Sequence, residues 1–269
     1  MIGAIAGDII GSVHEGMGTK TRRFDLFTEL NNFTDDTVLT VAVAEWLMTG
    51  ANLVDVFHEY HRLFPTVGYG GNYKRWATTK SREPYNSYGN GSAMRVSPVA
   101  WAFDSLEEVL EWARRSAEVT HNHPEGIRGA QATAGALFIA RTGGSKEDII
   151  SFCMAEPIRY RVDRSVYLIR RGYTMDVSCQ GSVPEAISCV LEASGYEDAV
   201  RNAISLGGDA DTQACIAGGI AEALWGVPEE IRDTAVGYLD GHLQAVVSKF
   251  SRRYVIREPC QRVVDPEEM

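Results

Sequence analysis

Cysteine and positively charged side chains are both scarce in this chain of 269 residues. The five cysteines are scattered and form no Cys-x-x-Cys pair, which argues against a disulfide framework and a thiolate zinc site and favours a reducing, cytoplasmic compartment. Lysine and arginine total 26 against 36 acidic residues, giving a net charge of −10. That balance argues against a protein whose main task is to bind nucleic-acid phosphates.

Long hydrophobic runs are also missing. No stretch approaches the roughly 18 uninterrupted apolar residues of a membrane span, so we expect no membrane partner. Residues 1–10 are apolar, but they lack a basic region and contain Asp8, which argues against a secretory signal peptide. The overall composition, 45% hydrophobic and 23% charged, is typical of a globular protein with a substantial core.

Strand patterns are few. The best candidate strand is Arg253–Ile256. The sequence lacks the alternation of strand and helix patterns that would indicate a parallel sheet. Helical periodicity dominates instead, so we predict one all-α domain of roughly ten or more short helices over residues 1–269.

Local signals predict where several helices begin and end. Asp104 or Ser105 caps a helix from Leu106, and an Ala-rich helix covers 130–140. The other predicted helices are 92–102, a helix from Pro184 to Ala193 closed by Gly195, a helix from Pro228 through Val247, and a helix containing Val54, Phe57, His61 and Phe64.

Two similar acidic segments each precede an apolar helix. Thr34–Thr37 (TDDT) leads into the predicted helix 38–48, and 208–212 (GDADT) leads into 213–225. Aspartate and threonine are good N-caps, so capping alone is one interpretation. One cap needs only one side chain, however, and near-adjacent aspartates repel each other unless a cation balances them.

The second interpretation is a site for hard divalent cations. Mg²⁺ and Mn²⁺ prefer oxygen ligands such as carboxylates and hydroxyls. Asp35, Asp36, Asp209 and Asp211 carry four negative charges, which two divalent cations would balance. This hypothesis requires that the two segments meet in the fold.

A third interpretation concerns only the second segment. Asp209–Thr212 partly fits the D-x-D-x-T opening of phosphatases that use an aspartate nucleophile. The fifth position is Gln213, and that motif normally follows a hydrophobic strand, so this stays a minor alternative.

Glycine-rich segments supply further candidates. Segment 3–12 mixes small and apolar residues, and its glycines predict close approach of another backbone, with Gly7 and Gly11 on one face. Loops 68–72 (GYGGN) and 87–92 (SYGNGS) can form anion-binding nests, although both also fit ordinary turns.

Two further segments contain polar candidates. In 120–126 (THNHPEG), two histidines lie two residues apart without a third nitrogen or sulfur ligand nearby. We therefore expect them to cap a helix or to hydrogen-bond a ligand. On spacing alone, Glu15 fits a surface position.

Taken together, these segments resemble the ADP-ribosylglycohydrolase family, which includes dinitrogenase reductase-activating glycohydrolase and the eukaryotic ADP-ribosyl-acceptor hydrolases. The resemblance rests on GAIAGDIIGSVHE (3–15), FTDDT (33–37), SYGNGSAMRV (87–96), Thr120-His121 and SLGGDADTQACIAGG (205–219). It covers nearly the whole chain and implies an all-α fold.

The resemblance also implies a two-metal site, usually with two Mg²⁺ and with Mn²⁺ possible. The implied metal ligands are Thr34, Asp35, Asp36, Asp209, Asp211 and Thr212. Glu15 matches a flap glutamate, and Glu15, Asp36 or Asp209 would act as general acid or base. The implied substrate-binding residues are Gly68, Tyr69, Gly70, Ser87, Tyr88, Gly89, Asn90 and His121.

The loop 68–70 looks more like the serine-linked ADP-ribose branch of the family than the arginine-linked branch, which carries an acidic residue there. We therefore expect a metal-dependent hydrolase that cleaves the C1″ bond between ADP-ribose and a protein or small-molecule acceptor. Nucleic acid would be a partner only as an ADP-ribosylated acceptor. A metal-dependent phosphohydrolase and a non-catalytic relative, as among lens crystallins, are the alternatives.

Overall fold

Helices form the scaffold of residues 1–255, the part of the chain described by the structure, which is a computed structural model. Within that range no strand occurs, and one isolated β-bridge pairs Gly89 with Ser178. The all-α prediction is confirmed. The helices are α1 (Ile2–Gly11), α2 (Asp35–Thr49), α3 (Leu53–Leu63), α4 (Gly71–Thr78), α5 (Gly91–Met94), α6 (Ser97–Ala102), α7 (Leu106–Glu118), α8 (Pro124–Arg141), α9 (Lys146–Met154), α10 (Val166–Gly172), α11 (Cys179–Glu192), α12 (Tyr196–Ile204), α13 (Ala210–Trp225), α14 (Glu229–Tyr238) and α15 (Gly241–Phe250).

Helices α1 and α13 pack backbone against backbone at the centre of the molecule. A Cβ on Gly7 would stand 2.0 Å from the carbonyl oxygen of Ala214, and a Cβ on Gly3 would stand 2.5 Å from that of Gly218. Only residues without a side chain permit this spacing. The prediction that the N-terminal glycines allow another backbone to approach is confirmed.

This helix pair brings the two acidic segments together. The end of α1 lies against the start of α13, because a Cβ on Gly11 would stand 2.5 Å from the Cα of Asp211. From the same helix, Asp8 binds the threonines at the start of α2. The N-termini of α2 and α13 therefore face one region, and the hypothesis that the segments meet is confirmed.

The predicted helix 92–102 is two helices. Helix α5 ends at Met94 and α6 begins at Ser97. Proline has no N–H to donate, and its ring clashes with the carbonyl four residues earlier. Pro98 stands in the first turn of α6, and the residue four positions before it is Met94, where α5 ends.

Two more predicted boundaries are wrong. Helix α11 begins at Cys179 rather than Pro184, because the Ser178 side chain caps it by accepting from the Gly181 amide, and Gly195 is the N-cap of the next helix. The predicted helix 228–247 is interrupted before Asp240, whose carboxylate caps α15 at the Leu243 amide, 2.8 Å away.

The predicted strand at 253–256 is also wrong where it can be compared. Ser251–Val255 continue α15 as a short π-helical segment, and Ile256 lies outside the described residues. The Ser105 cap of α7 and the Ala-rich helix within α8 are confirmed. Within residues 1–255, no helix combines the length and apolar character needed to cross a membrane.

Candidate active site

Asp8 anchors the first acidic segment. The side chain is fully buried in α1, and its carboxylate accepts hydrogen bonds from the backbone amides and hydroxyls of Thr34 and Thr37. The Thr34 hydroxyl oxygen in turn accepts from the Asp36 amide at 3.2 Å. These bonds fix the first turn of α2 and satisfy amides that a helix start leaves without an intrahelical partner.

The two acidic segments meet at the metal-ligand candidates. The Thr212 hydroxyl donates to Asp36 Oδ2 at 3.2 Å, across 176 positions of sequence. Asp36 is 1% exposed, and its second oxygen, Oδ1, is buried without a hydrogen-bond partner among the described residues. A buried carboxylate oxygen without a donor is costly, so it fits a position where a cation binds.

Burial and mutual repulsion raise the pKa values of the clustered carboxyls. Burial raises the pKa of Asp35 to about 8, with the charge of Asp8 contributing next. Burial and the neighbouring charge of Asp211 raise the pKa of Asp36 well above its ordinary value. Burial and the charge of Asp209 do the same to the pKa of Asp211. Such a group of acids stays ionised at neutral pH only when positive charge compensates it.

Glu15 completes the cluster from the segment after α1. Its carboxylate and those of Asp209 and Asp211 each have an oxygen within 4.8 Å of the others. Both aspartates are buried, whereas Glu15 is exposed to solvent. Glu15 therefore connects the buried acids with bulk water.

A cleft of about 350 Å³ lies over these acids. Its walls combine carboxylates, glycine backbone and aromatic rings. It is lined by Glu15, Thr34, Asp35, Asp36, Leu39, Gly68, Gly70, Gly71, Asn72, Tyr73, Tyr85, Ser87, Gly89, Asn90, Gly91, Met94, Arg95, His121, Val177, Asp209, Asp211 and Thr212.

The loop at 87–90 forms one wall. The Asn90 side-chain amide donates to Asp209 Oδ2 at 2.7 Å and to Ser182 Oγ at 3.2 Å. The Asn90 side chain therefore positions Asp209. Its sequence motif did not indicate this contact. Ser87 lines the cleft, and its hydroxyl oxygen accepts from the Gly89 amide at 3.1 Å.

Two tyrosines predicted to bind substrate lie outside this cleft lining. The Tyr69 ring is buried and stacks on Tyr73, with centroids 5.0 Å apart. Tyr88 is 53% exposed and borders an adjoining depression together with Asp176. Their neighbours Gly68, Gly70 and Gly89 do line the cleft, so these loops present backbone there rather than tyrosine rings.

The two histidines of 120–126 have different roles. His123 caps α8 by accepting from the Glu125 amide at 3.1 Å. His121 is nearly buried and lines the cleft. Arg95 and Tyr85 also line the cleft, although the sequence motifs assign no function to either residue. Arg95 stands within the SYGNGSAMRV segment, and the spacing of that segment alone does not indicate that Arg95 lines the cleft.

The donor set fits hard divalent cations. Thr34, Asp35, Asp36, Asp209, Asp211 and Thr212 all line one cleft and offer only oxygen. Asp36 Oδ1, which is buried without a hydrogen-bond partner among residues 1–255, shows that the fit does not rest on composition alone. Oxygen donors without thiolate or imidazole suit Mg²⁺ and Mn²⁺ better than zinc.

A sequence profile described as ADP-ribosylglycohydrolase matches residues 1–259. The chain belongs to the ADP-ribosylglycohydrolase family. Mouse (Mus musculus) ADP-ribosylhydrolase ARH3 is 27% identical to it, with 88% of this chain and 86% of the mouse protein covered. The human (Homo sapiens) protein of the same name is also 27% identical, with 88% of each chain covered.

A solved structure gives the same picture of the fold. The ADP-ribosylglycohydrolase-related protein complex aligns with a TM-score of 0.66 and 23% identity, over 93% of this chain and 96% of that chain. At this identity the likeness supports the shared fold. The family resemblance drawn from the motifs is confirmed by the profile match.

Proposed function

We propose that this protein is a metal-dependent hydrolase that cleaves the C1″ glycosidic bond of ADP-ribose conjugated to an acceptor and releases ADP-ribose. The observation that carries the proposal is the meeting of both acidic segments in one cleft, beside the 87–90 loop and His121. Two relatives named ADP-ribosylhydrolase, and the family itself, support the same substrate class.

The proposed metal ligands are six residues that line the cleft and offer oxygen ligands. They are Thr34, Asp35, Asp36, Asp209, Asp211 and Thr212. Two divalent cations, Mg²⁺ or Mn²⁺, would supply positive charge that orients ribose hydroxyls and favours deprotonation of a water molecule.

The side chains of the cleft supply the remaining chemistry. Cleavage at an anomeric carbon passes through an oxocarbenium-like state, for which a carboxylate and a positioned water are required. Asn90 holds the Asp209 carboxylate in place through its 2.7 Å hydrogen bond. Glu15 is the exposed acid of the cluster, so we assign it the exchange of a proton with solvent.

The loop backbones serve the anionic part of the substrate. Gly68, Gly70 and Gly89 line the cleft without side chains, which leaves space for a diphosphate against the loop backbone. A diphosphate accepts hydrogen bonds, so it needs donors on the wall of the cleft. Backbone amides and the His121 ring can donate such bonds.

The test is a panel of defined conjugates, with ADP-ribose linked to serine, to arginine, to a nucleic-acid end or to an acetyl ester. Products are identified by mass spectrometry with Mg²⁺, with Mn²⁺ and after chelation. Metal-dependent release of free ADP-ribose from at least one conjugate is expected. Release of inorganic phosphate instead would identify a phosphohydrolase, and binding of ADP-ribose without turnover would identify a non-catalytic relative.

The Glu15→Gln variant separates proton exchange from binding. We expect kcat to fall at least about tenfold while ADP-ribose affinity stays within about threefold of the wild type, because glutamine keeps the shape but cannot carry a proton. A variant with normal kcat would remove Glu15 from the proposed chemistry.

A further inference from the structure

Arg95 is a fully buried cation at the cleft, and the proposed function leaves it without a role. It is 0% exposed, and its guanidinium carbon lies 4.6 Å from the centroid of the Phe57 ring. One nitrogen, Nη2, donates to the Ser116 carbonyl at 2.7 Å and to the Thr120 hydroxyl at 2.9 Å. Burying a guanidinium is costly. We therefore expect Arg95 to act through the groups that accept its hydrogen bonds.

Thr120 lies between Arg95 and His121. Its Oγ1 is 2.8 Å from His121 Nδ1 and 2.9 Å from Arg95 Nη2. Arginine can only donate, so the Thr120 oxygen is the acceptor in that pair. The hydroxyl hydrogen is then free to point at His121 Nδ1. An Nδ1 that accepts a hydrogen bond carries no proton, and the proton of a neutral ring must lie on Nε2.

We propose that Arg95, acting through Thr120, holds His121 in the Nε2–H tautomer, so that the ring presents a hydrogen-bond donor to an oxygen of the ligand. The proposal deepens the proposed function and rests on it, because the ligand oxygen belongs to the ADP-ribose moiety. Arg95 and Thr120 are positioning residues in this scheme, and His121 is the residue that contacts the ligand.

The surroundings of His121 Nε2 leave room for that contact. A Cβ on Gly91 would stand 3.2 Å from Nε2, and one on Gly89 would stand 3.7 Å away. Both residues line the cleft, so no side chain from either covers the nitrogen. Burial and the positive charge of Arg95 also lower the pKa of His121 well below its ordinary value, which keeps the ring neutral.

Tyr85 offers a competing acceptor that must be controlled. Burial raises the pKa of its phenol to about 12, while Arg95 and a hydrogen bond with Thr120 act to lower it. If the Thr120 hydrogen pointed at Tyr85, His121 Nδ1 would have to donate instead. The Tyr85→Phe variant removes this acceptor and should leave the His121 tautomer unchanged.

The tautomer can be measured directly by long-range ¹H–¹⁵N NMR of the whole protein. Among the ring signals of the six histidines, those of His121 are identified by their loss in His121→Asn. The Nε2–H pattern is expected in the wild type, in Thr120→Ser and in Tyr85→Phe. Thr120→Val is isosteric but lacks the hydroxyl, so a mixture of tautomers is expected. An Nδ1–H pattern in the wild type, or an unchanged tautomer in Thr120→Val, would overturn the proposal.

Calorimetry with ADP-ribose in Mg²⁺ buffer gives the second readout. Thr120→Val should weaken binding by the inverse of the fraction of rings left in the Nε2–H form, about twofold for an equal mixture, whereas Thr120→Ser should bind as the wild type does. Equal affinity of both variants and the wild type would contradict the proposal. A wild type with the Nε2–H pattern but no ADP-ribose binding would refute the proposed function while supporting the tautomer assignment.

Discussion

Substitution of Gly7 by alanine tests the central packing of the fold most directly. The new Cβ would stand 2.0 Å from the Ala214 carbonyl oxygen, about 1.4 Å short of the 3.4 Å at which ordinary van der Waals contact begins. The obstacle is backbone in the facing helix, so no rotamer change relieves it. Helices α1 and α13 must separate, or one of them must shift along the other.

The expected loss of stability follows from that overlap. Overpacking a core by one methyl usually costs about 1–3 kcal/mol, and a backbone obstacle places Gly7→Ala at about 3 kcal/mol or more. For a protein of this size, each 1 kcal/mol lowers Tm by roughly 2–4 °C. We therefore expect a Tm decrease of about 6–12 °C, measured by calorimetry and checked by urea unfolding.

Gly219→Ala is the matched control, because Gly219 is also buried, in α13, and its Cβ would meet other atoms no closer than 3.5 Å. There alanine adds helix propensity of about 1 kcal/mol without a clash, so Tm should stay level or rise. Gly7→Ala should also weaken Mn²⁺ binding at least about tenfold, because the same helix pair positions Asp211. A Gly7→Ala protein as stable as the wild type, beside a destabilised Gly219→Ala, would refute this account of the helix contact.

Three further predictions concern the acids. Chelation should abolish turnover, and Mg²⁺ or Mn²⁺ should restore it and raise Tm, because a ligand that binds only the folded state stabilises that state; full activity in exhaustively metal-free buffer would exclude the metal centre. Asp36→Asn should lower kcat/KM at least about 10²-fold, roughly 2.7 kcal/mol, with a wild-type circular dichroism spectrum, and a near-normal rate would remove Asp36 from the metal site. Asp8→Asn should lower the free energy of unfolding by about 1–3 kcal/mol in urea, because one oxygen that accepts from Thr34 or Thr37 becomes a donor. Its activity per folded molecule should fall less, and a stable but inactive Asp8→Asn protein would contradict that role.

The helical class and most of the site chemistry could be predicted from the sequence, because both depend on contiguous residues. Helix periodicity and caps act over about four positions, and Ser105 caps α7 as its spacing predicted. The four aspartates stand in two short segments. Each segment has more carboxylates than one helix N-cap requires, and this can be read from the sequence without a structure. The helix boundaries near Pro98 and Asp240 were missed because two short helices can share one continuous periodic pattern.

Only the tertiary structure decided which side chains share the cleft. Thr212 reaches Asp36 across 176 positions because glycines in α1 allow α13 to approach, and local propensity contains no information on such an approach. For the same reason, the sequence could not predict that Tyr69 lies in a buried stack or that Arg95 reaches Thr120. The direction of a side chain from a loop or a helix break is set by what packs against it from distant parts of the chain.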